Sequence, residues 1–336
     1  AWGLAADDLM STLYTASHDG TVRRQDLERR SWEELVDINP AGWQGDEGKW
    51  RMMSALVSGV DGSAPLIAGD DVGRLWALDP RAGRPVVGCV LAHRRGTKLQ
   101  SVQRHPLDAN VLVTAGNDWT VRIWDLRRLA SGSGHALGWH RDEASFVQRG
   151  SAASEATRTT RAGSTAGVPV ASPVAVMQHA RVVTDASFSP TTGQKLLTTC
   201  ADNRLRVFDH VAALAASEAP QPHVELIHSQ DFARHLTPFR AVWDPKDPLE
   251  DSVVCGRFIS EPYNVDALRA RFRGERLDSP SGASAALHPI DIVDVGRASS
   301  AGGDSDWRAR WRAGHQSSIV AELCDCLLYT SDAADE

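Results

Sequence analysis

The strongest constraint on this chain is a short pattern that recurs along it. Its clearest copy is Thr114-Ala115-Gly116-Asn117-Asp118-Trp119-Thr120-Val121-Arg122-Ile123-Trp124-Asp125-Leu126-Arg127. A turn at Asn117-Asp118 leads into the alternating run Thr120-Val121-Arg122-Ile123, which Trp124-Asp125 closes. Residues 15–27, with Asp19-Gly20-Thr21-Val22-Arg23, and residues 198–209, with Asp202-Asn203-Arg204-Leu205-Arg206, align with it without a gap. Residues 69–79 align more loosely. Alternation at period two marks a strand with one face buried. A pair of strands this short cannot bury its own apolar face, so each copy needs neighbours like itself. The pattern is expected to form the last two strands of each repeated sheet.

The spacing supports a ring of such sheets. The copies end at Asp26, Asp79, Asp125 and Asp209, at intervals of 53, 46 and 84 residues. The long interval holds a segment of Ser, Ala, Gly, Thr and Arg, about 130–168, whose composition cannot offset the entropy of ordering. Without those 39 residues the interval falls to 45. A fifth unit is expected from Phe239-Arg240-Ala241-Val242-Trp243-Asp244, Ser252-Val253-Val254-Cys255-Gly256 and Ile290-Asp291-Ile292-Val293-Asp294, with its own insertion at about 265–285. Short strands at regular spacing with turns between them argue an all-β fold, and radial closure removes most exposed sheet edges. The Trp-Asp ending and a period of roughly 40–45 residues resemble the WD-repeat β-propellers.

Composition fits that reading. Apolar residues make up 42% of the chain and there are eleven Trp, read as packing between sheets. The five Cys have neither zinc spacing nor disulfide density, which favours a reducing compartment. No metal or other cofactor is expected. No apolar run is long enough for a membrane span, so no membrane partner is expected. Residues 326–336 resemble a translated sequencing adapter and are read as a non-native tail, leaving an incomplete propeller over 1–325. Without that tail, 36 basic side chains face 40 acidic ones, a formal charge of −4 against −7 for the whole chain. The missing initial Met is taken to mean that the native N-terminus lies upstream.

No nucleophile elbow, zinc-protease helix, P-loop or dinucleotide fingerprint is present, and the His residues look scattered, so binding is expected and not catalysis. Two binding surfaces stand out. Arg127, two residues past Asp125, lies just beyond a strand end, where its guanidinium can fork onto a carboxylate or carbonyl of a partner. The second surface is a set of connections: Phe232-Ala233-Arg234-His235, Trp50 beside Arg51, and the basic run from His93 to Lys98. Aromatic wedges can unstack a base step while basic groups hold phosphate.

These residues resemble the DNA-damage-binding protein 2 family, the small subunit of the UV-damaged-DNA-binding complex, and its plant-type members above all. The resemblance runs through residues 13–26, 69–73, 98–127 and 187–190, then His235-Leu236-Thr237-Pro238-Phe239-Arg240-Ala241-Val242-Trp243-Asp244 and Cys255-Gly256-Arg257-Phe258. It implies a seven-bladed propeller of which this chain carries about five blades, with the ring open. It also implies a nuclear protein that recognises UV-damaged duplex DNA for nucleotide excision repair. A hairpin wedge, here Phe232, Ala233, Arg234 and His235, would enter at the lesion, while Trp50 and Lys98 would contact DNA. In the family's animal members the Phe stands where Ala233 is here, so the side chain that fills the vacated stack is left open. Asp125 and Arg127 would dock damage-binding protein 1 and, through it, a cullin-4 ubiquitin ligase. The rival reading is a ligase receptor or scaffold that binds a protein or histone tail and not DNA.

Overall fold

The repeats fold as four-stranded antiparallel sheets in the computed structural model, which describes residues 3–6, 11–39, 51–57, 65–81, 86–130, 171–228, 239–256 and 290–296. Blade one is β1 (Gly3–Ala6), β2 (Thr12–Ala16), β3 (Thr21–Asp26) and β4 (Ser31–Asp37). Blade two is β5 (Met53–Val57), β6 (Leu66–Asp70), β7 (Arg74–Leu78) and β8 (Val86–Leu91). Blade three is β9 (Leu99–Arg104), β10 (Val111–Gly116), β11 (Thr120–Asp125) and β12 (Ala175–Gln178), with a short helix α1 (Leu126–Ala130) after β11. Blade four is β13 (Val183–Phe188), β14 (Leu196–Cys200), β15 (Arg204–Phe208) and β16 (Val224–Ile227), with α2 (Val211–Leu214) between its last two strands. The described part of blade five is β17 (Ala241–Trp243), β18 (Ser252–Gly256) and β19 (Ile290–Asp294), as its three sequence segments predict.

Each sheet is a meander, so strand order follows chain order. The first strands pack on one another in sequence, β1 on β5, β5 on β9 and β9 on β13, and so line the axis of a partial propeller. Period two explains why the blades need each other. In blade three, Leu112 and Trp124 face the blade-two residues Ile67, Leu75 and Ala77. Their alternating neighbours Val113, Ala115, Val121 and Ile123 face Val183, Ala186, Phe188 and Leu196 of blade four. Val121 and Ile123 are buried, as the alternation predicts. Trp76, Trp124 and Trp243 are packing residues, whereas Trp32 and Trp119 are exposed.

One sequence expectation is corrected. The segment 114–127 does not form the last two strands of its sheet. It forms β10 and β11, the central pair, and the outer strand β12 arrives only after the insertion at about 130–168. The repeat in sequence is therefore offset by one strand from the blade in space: each Trp-Asp ending closes a third strand, and the fourth strand begins the next sequence repeat. Neither insertion, nor the 326–336 tail, nor the site residues Trp50, Phe232, Ala233, Arg234 and His235 fall within the described residues.

Candidate nucleic-acid interface

In an antiparallel meander, the start of the first strand, the turn between the second and third, and the end of the fourth share one end of the sheet. In blade three this end carries Lys98, the turn Asn117–Trp119 and Gln178. The amide of Asn117 donates to the Lys98 carbonyl at 2.9 Å, and the amide of His179 donates to the Trp119 carbonyl at 2.8 Å. Strands β4 and β16 end, and β5 and β17 begin, at this same end, and the residues that join them, Trp50 and Phe232–His235 among them, lie outside the described residues.

A buried polar chain fixes this end of blade three. The indole Nε1 of Trp124 donates to Thr114 Oγ1 at 2.8 Å, which lies 2.7 Å from His93 Nε2. His93 Nδ1 lies 2.9 Å from Asp118 Oδ1. Asp118 also accepts from the amide of Arg94 at 3.0 Å, from Thr120 Oγ1 at 2.7 Å and from the Arg122 guanidinium at 3.1 Å. Burial opposes the charge on Asp118, but His93 and these donors hold its carboxyl well below the usual carboxylate range. Burial pushes His93 down despite Asp118, favouring neutral imidazole. The His residues are therefore not scattered. His93, His179 and His228 each follow the last strand of a blade and are buried there. His179 repeats the contact to a strand hydroxyl, 3.0 Å from Thr198 Oγ1, but Phe208 stands where Trp124 stands and supplies no N–H. Burial, then Arg206, lowers His179 to about 4.

With Asp118 committed, the charged side chains left at this end of blade three are cationic. Arg94 and Arg95 are exposed. Lys98 is half-buried, and burial lowers its pKa; Asp71 opposes this and Arg240 adds to it. Arg240, exposed at the start of blade five, donates to the Gln100 carbonyl at 3.2 Å and so reaches to blade three. Asp185, on the axial strand β13, is fully buried; burial pushes its carboxyl up, against the pull of Arg240. Burial lowers His18 in blade one, and Lys98 lowers it further. Groups from five blades thus sense one another's charge, and burial penalises the ionised form of one of the acids among them. Sequence reasoning picked out Lys98 but missed Arg240 and Asp185, which lie far from it along the chain.

The opposite end of blade three carries Arg127. Its Nε donates to Asp125 Oδ1 at 2.9 Å, and one terminal nitrogen lies 3.1 Å from Asp125 Oδ2 and 3.4 Å from Asp108 Oδ2. The fork expected to engage a partner is closed on the chain's own Asp125, although the side chain stays 62% exposed, open to an approaching surface. Asp125 raises the Arg127 pKa, and the Arg127 hydrogen bonds lower that of Asp125. Blade two repeats the arrangement: Arg81 Nε donates to Asp79 Oδ1 at 3.0 Å. The sequence signal, Asp79-Pro80-Arg81, was there to be read beside Asp125-Leu126-Arg127. Among the described residues no cluster of His, Cys, Asp and Glu could hold a metal ion, and no helix is long and apolar enough to cross a membrane.

Comparison with known proteins agrees with the repeats. The WD domain, G-beta repeat family matches residues 87–125 and 171–209, each span running from the outer strand of one blade through the third strand of the next. DNA damage-binding protein 2 of Oryza sativa subsp. japonica is 36% identical over 84% of this chain and 38% of its own length. Protein DAMAGED DNA-BINDING 2 of Arabidopsis thaliana is 34% identical over 80% of this chain and 37% of its own length. WD repeat-containing protein 76 of Mus musculus is 27% identical over 86% of this chain and 38% of its own length. The chain thus spans under two fifths of each of these relatives. With five consecutive antiparallel sheets, the Trp-His-Asp network and these similarities together, the chain carries WD repeats folded as a partial β-propeller and is similar to the DNA damage-binding protein 2 proteins.

Proposed function

We propose that this chain is the recognition part of a receptor for UV-damaged duplex DNA. The observation that carries the reading is the charge separation at one end of the propeller: the acid of its blade-three turn is spent inside the fold, while Arg94, Arg95, Lys98 and Arg240 face outward or sense one another. A polyanion is attracted by such a local field whatever the net charge of the chain. The names of the rice and Arabidopsis relatives point to the same partner. Lys98 and Arg240 would hold the backbone, Trp50 would contact DNA beside the lesion, and Phe232, Ala233, Arg234 and His235 would form the wedge. Selection arises because a damaged step costs less to unstack than an intact one. No group here does covalent chemistry in this reading, and the protein acts by binding, without a cofactor.

Asp125 and Arg127 at the opposite end would dock damage-binding protein 1 and so a cullin-4 ubiquitin ligase, and the protein would act in the nucleus, in nucleotide excision repair. A second reading has one support, the similarity to WD repeat-containing protein 76: a scaffold that binds a protein or histone tail and not DNA. Titration with irradiated and undamaged duplexes of one sequence, at stated salt, separates the two. A receptor for damage prefers the irradiated duplex by an order of magnitude or more. Equal affinity, or none for either, leaves the scaffold.

A further inference from the structure

Four equivalent turns precede the third strands of blades one to four, and each places its last residue in the left-handed region. These residues are Gly20 (φ +85°), Gly73 (φ +92°), Trp119 (φ +67°) and Asn203 (φ +63°). Gly and Asn adopt this conformation readily, whereas a bulky side chain there is an outlier. The surroundings differ as well. A Cβ at Gly20 would collide with the Asn39 side-chain nitrogen Nδ2, and one at Gly73 would lie 3.0 Å from the Arg94 carbonyl, because the next connection folds over each turn. Over Trp119 the connection from β12 to β13 is only residues 179–182. The backbone there is pinned, its carbonyl accepting from His179 N at 2.8 Å and Gln178 Nε2 at 3.4 Å. The residue is 49% exposed, and among the described residues its indole stacks on no ring or cation. Packing does not explain a strained, half-exposed Trp at this position.

Its flanks point to a partner. The turn is tied to Arg94 through the Asp118 contact, with Arg95 next, and to Lys98 through Asn117. On the other side, exposed Arg181 lies two residues past His179. We propose that Trp119 is a stacking platform for an unstacked base of a bound DNA strand, with the flanking arginines on the adjacent phosphates. The proposal rests on the reading of this end as a nucleic-acid interface. It names a residue that the sequence treated only as part of a turn. An aromatic face flanked by cations suits an unpaired base, since every base has a π-face and paired bases in an intact duplex keep theirs stacked.

The test uses the 336-residue chain, a single-stranded oligothymidylate and an undamaged duplex as probes. Trp119→Asn puts into the turn the residue that Asn203 already supplies. Its melting temperature should hold or rise, because strain is relieved. Its affinity for the single strand should fall about tenfold, and for the duplex less than about twofold. The dependence of log K on log salt should keep its slope, since no charge is removed. Trp119→Phe should restore most of the single-strand affinity. If Trp119→Asn binds the single strand like the parent, the platform is wrong, and a lowered melting temperature would assign Trp119 a structural role. A parent chain that binds neither probe would overturn the nucleic-acid reading of this whole end, and the Trp119 proposal with it.

Discussion

At one end of β10 and β11, Asp118 gives both carboxylate oxygens to donors of its own fold, and among the described residues its guanidinium partner is Arg122. At the other end, Asp125 gives both of its oxygens to the exposed guanidinium of Arg127. The same two strands therefore present opposite surfaces. The first end hides its acid and leaves Arg94, Arg95 and Trp119 exposed, with Lys98 half-buried beside them. The second end shows a paired acid and base, nearly neutral in sum and rich in hydrogen-bonding edges. A phosphate backbone suits the first and a protein surface suits the second. Net charge cannot reveal this, because the fold decides which acids remain visible.

The largest expected effect comes from Trp124, which serves both ends: its indole starts the chain to Asp118, and its backbone leads into Asp125. It is fully buried. Trp124→Ala should cost about 3–5 kcal/mol in denaturant unfolding and impair both ends together. Trp124→Phe should cost only about 1 kcal/mol, since the ring stays, Phe208 shows that it fits, and one hydrogen bond is lost. A Trp124→Ala protein as stable as the parent would break the link between the ends.

Acid should separate them. His179 has a folded pKa of about 4 against the ordinary 6.5, so the unfolded chain takes up its proton first. The stability it contributes is complete above about pH 6.5 and is lost as pH falls toward 4, on the order of 3 kcal/mol in all. His93, also lowered by burial, acts in the same direction. The Asp125–Arg127 pair should persist through that window, because Asp125 is held below the usual carboxylate range. Amide exchange followed from pH 7 to pH 4 should therefore loosen the His93 and His179 connections before residues 125–127. Simultaneous loosening would contradict the comparison.

A smaller pair of changes sharpens the first end. Changing Phe232, Arg234 and His235 together to Ala should cost irradiated duplex about 1–3 kcal/mol per stacked base and leave undamaged duplex nearly unchanged. Lys98→Glu should weaken both duplexes alike and flatten the salt dependence by about one unit. Equal losses on both duplexes from the triple change would move lesion selection elsewhere, toward Trp50.

Much of this was legible in the sequence. Alternation and the Asn117-Asp118 turn sufficed for β10, β11, the burial of Val121 and Ile123, and the fifth unit near Trp243, because strand period and turn chemistry are local. The offset between repeat and blade was not legible, since β12 pairs with β11 only across the insertion. The structural role of His93 and His179 was obscured because their partners lie 19 to 25 residues away in sequence. Arg240 meets Gln100 across 140 residues. For Arg127 the sequence showed the fork but not its closure on Asp125, which depends on how the chain turns after β11. The αL conformation of Trp119 had a readable hint, its alignment with Gly20 and Asn203, but its exposure depended on how the next connection runs.

Crosswise binding is the measurement closest to the claim that the two ends serve two partners. Lys98→Glu and Arg127→His, each shown to melt like the parent, would be titrated with irradiated duplex and, separately, with damage-binding protein 1. Lys98→Glu should lose about tenfold or more on the duplex, as a phosphate contact becomes repulsion, and keep the adaptor. Arg127→His should lose the adaptor, because the planar fork of donors is gone, and keep the duplex. An Arg127→His protein that melts like the parent, keeps damage-binding protein 1 and loses irradiated DNA would contradict the assignment of the two ends.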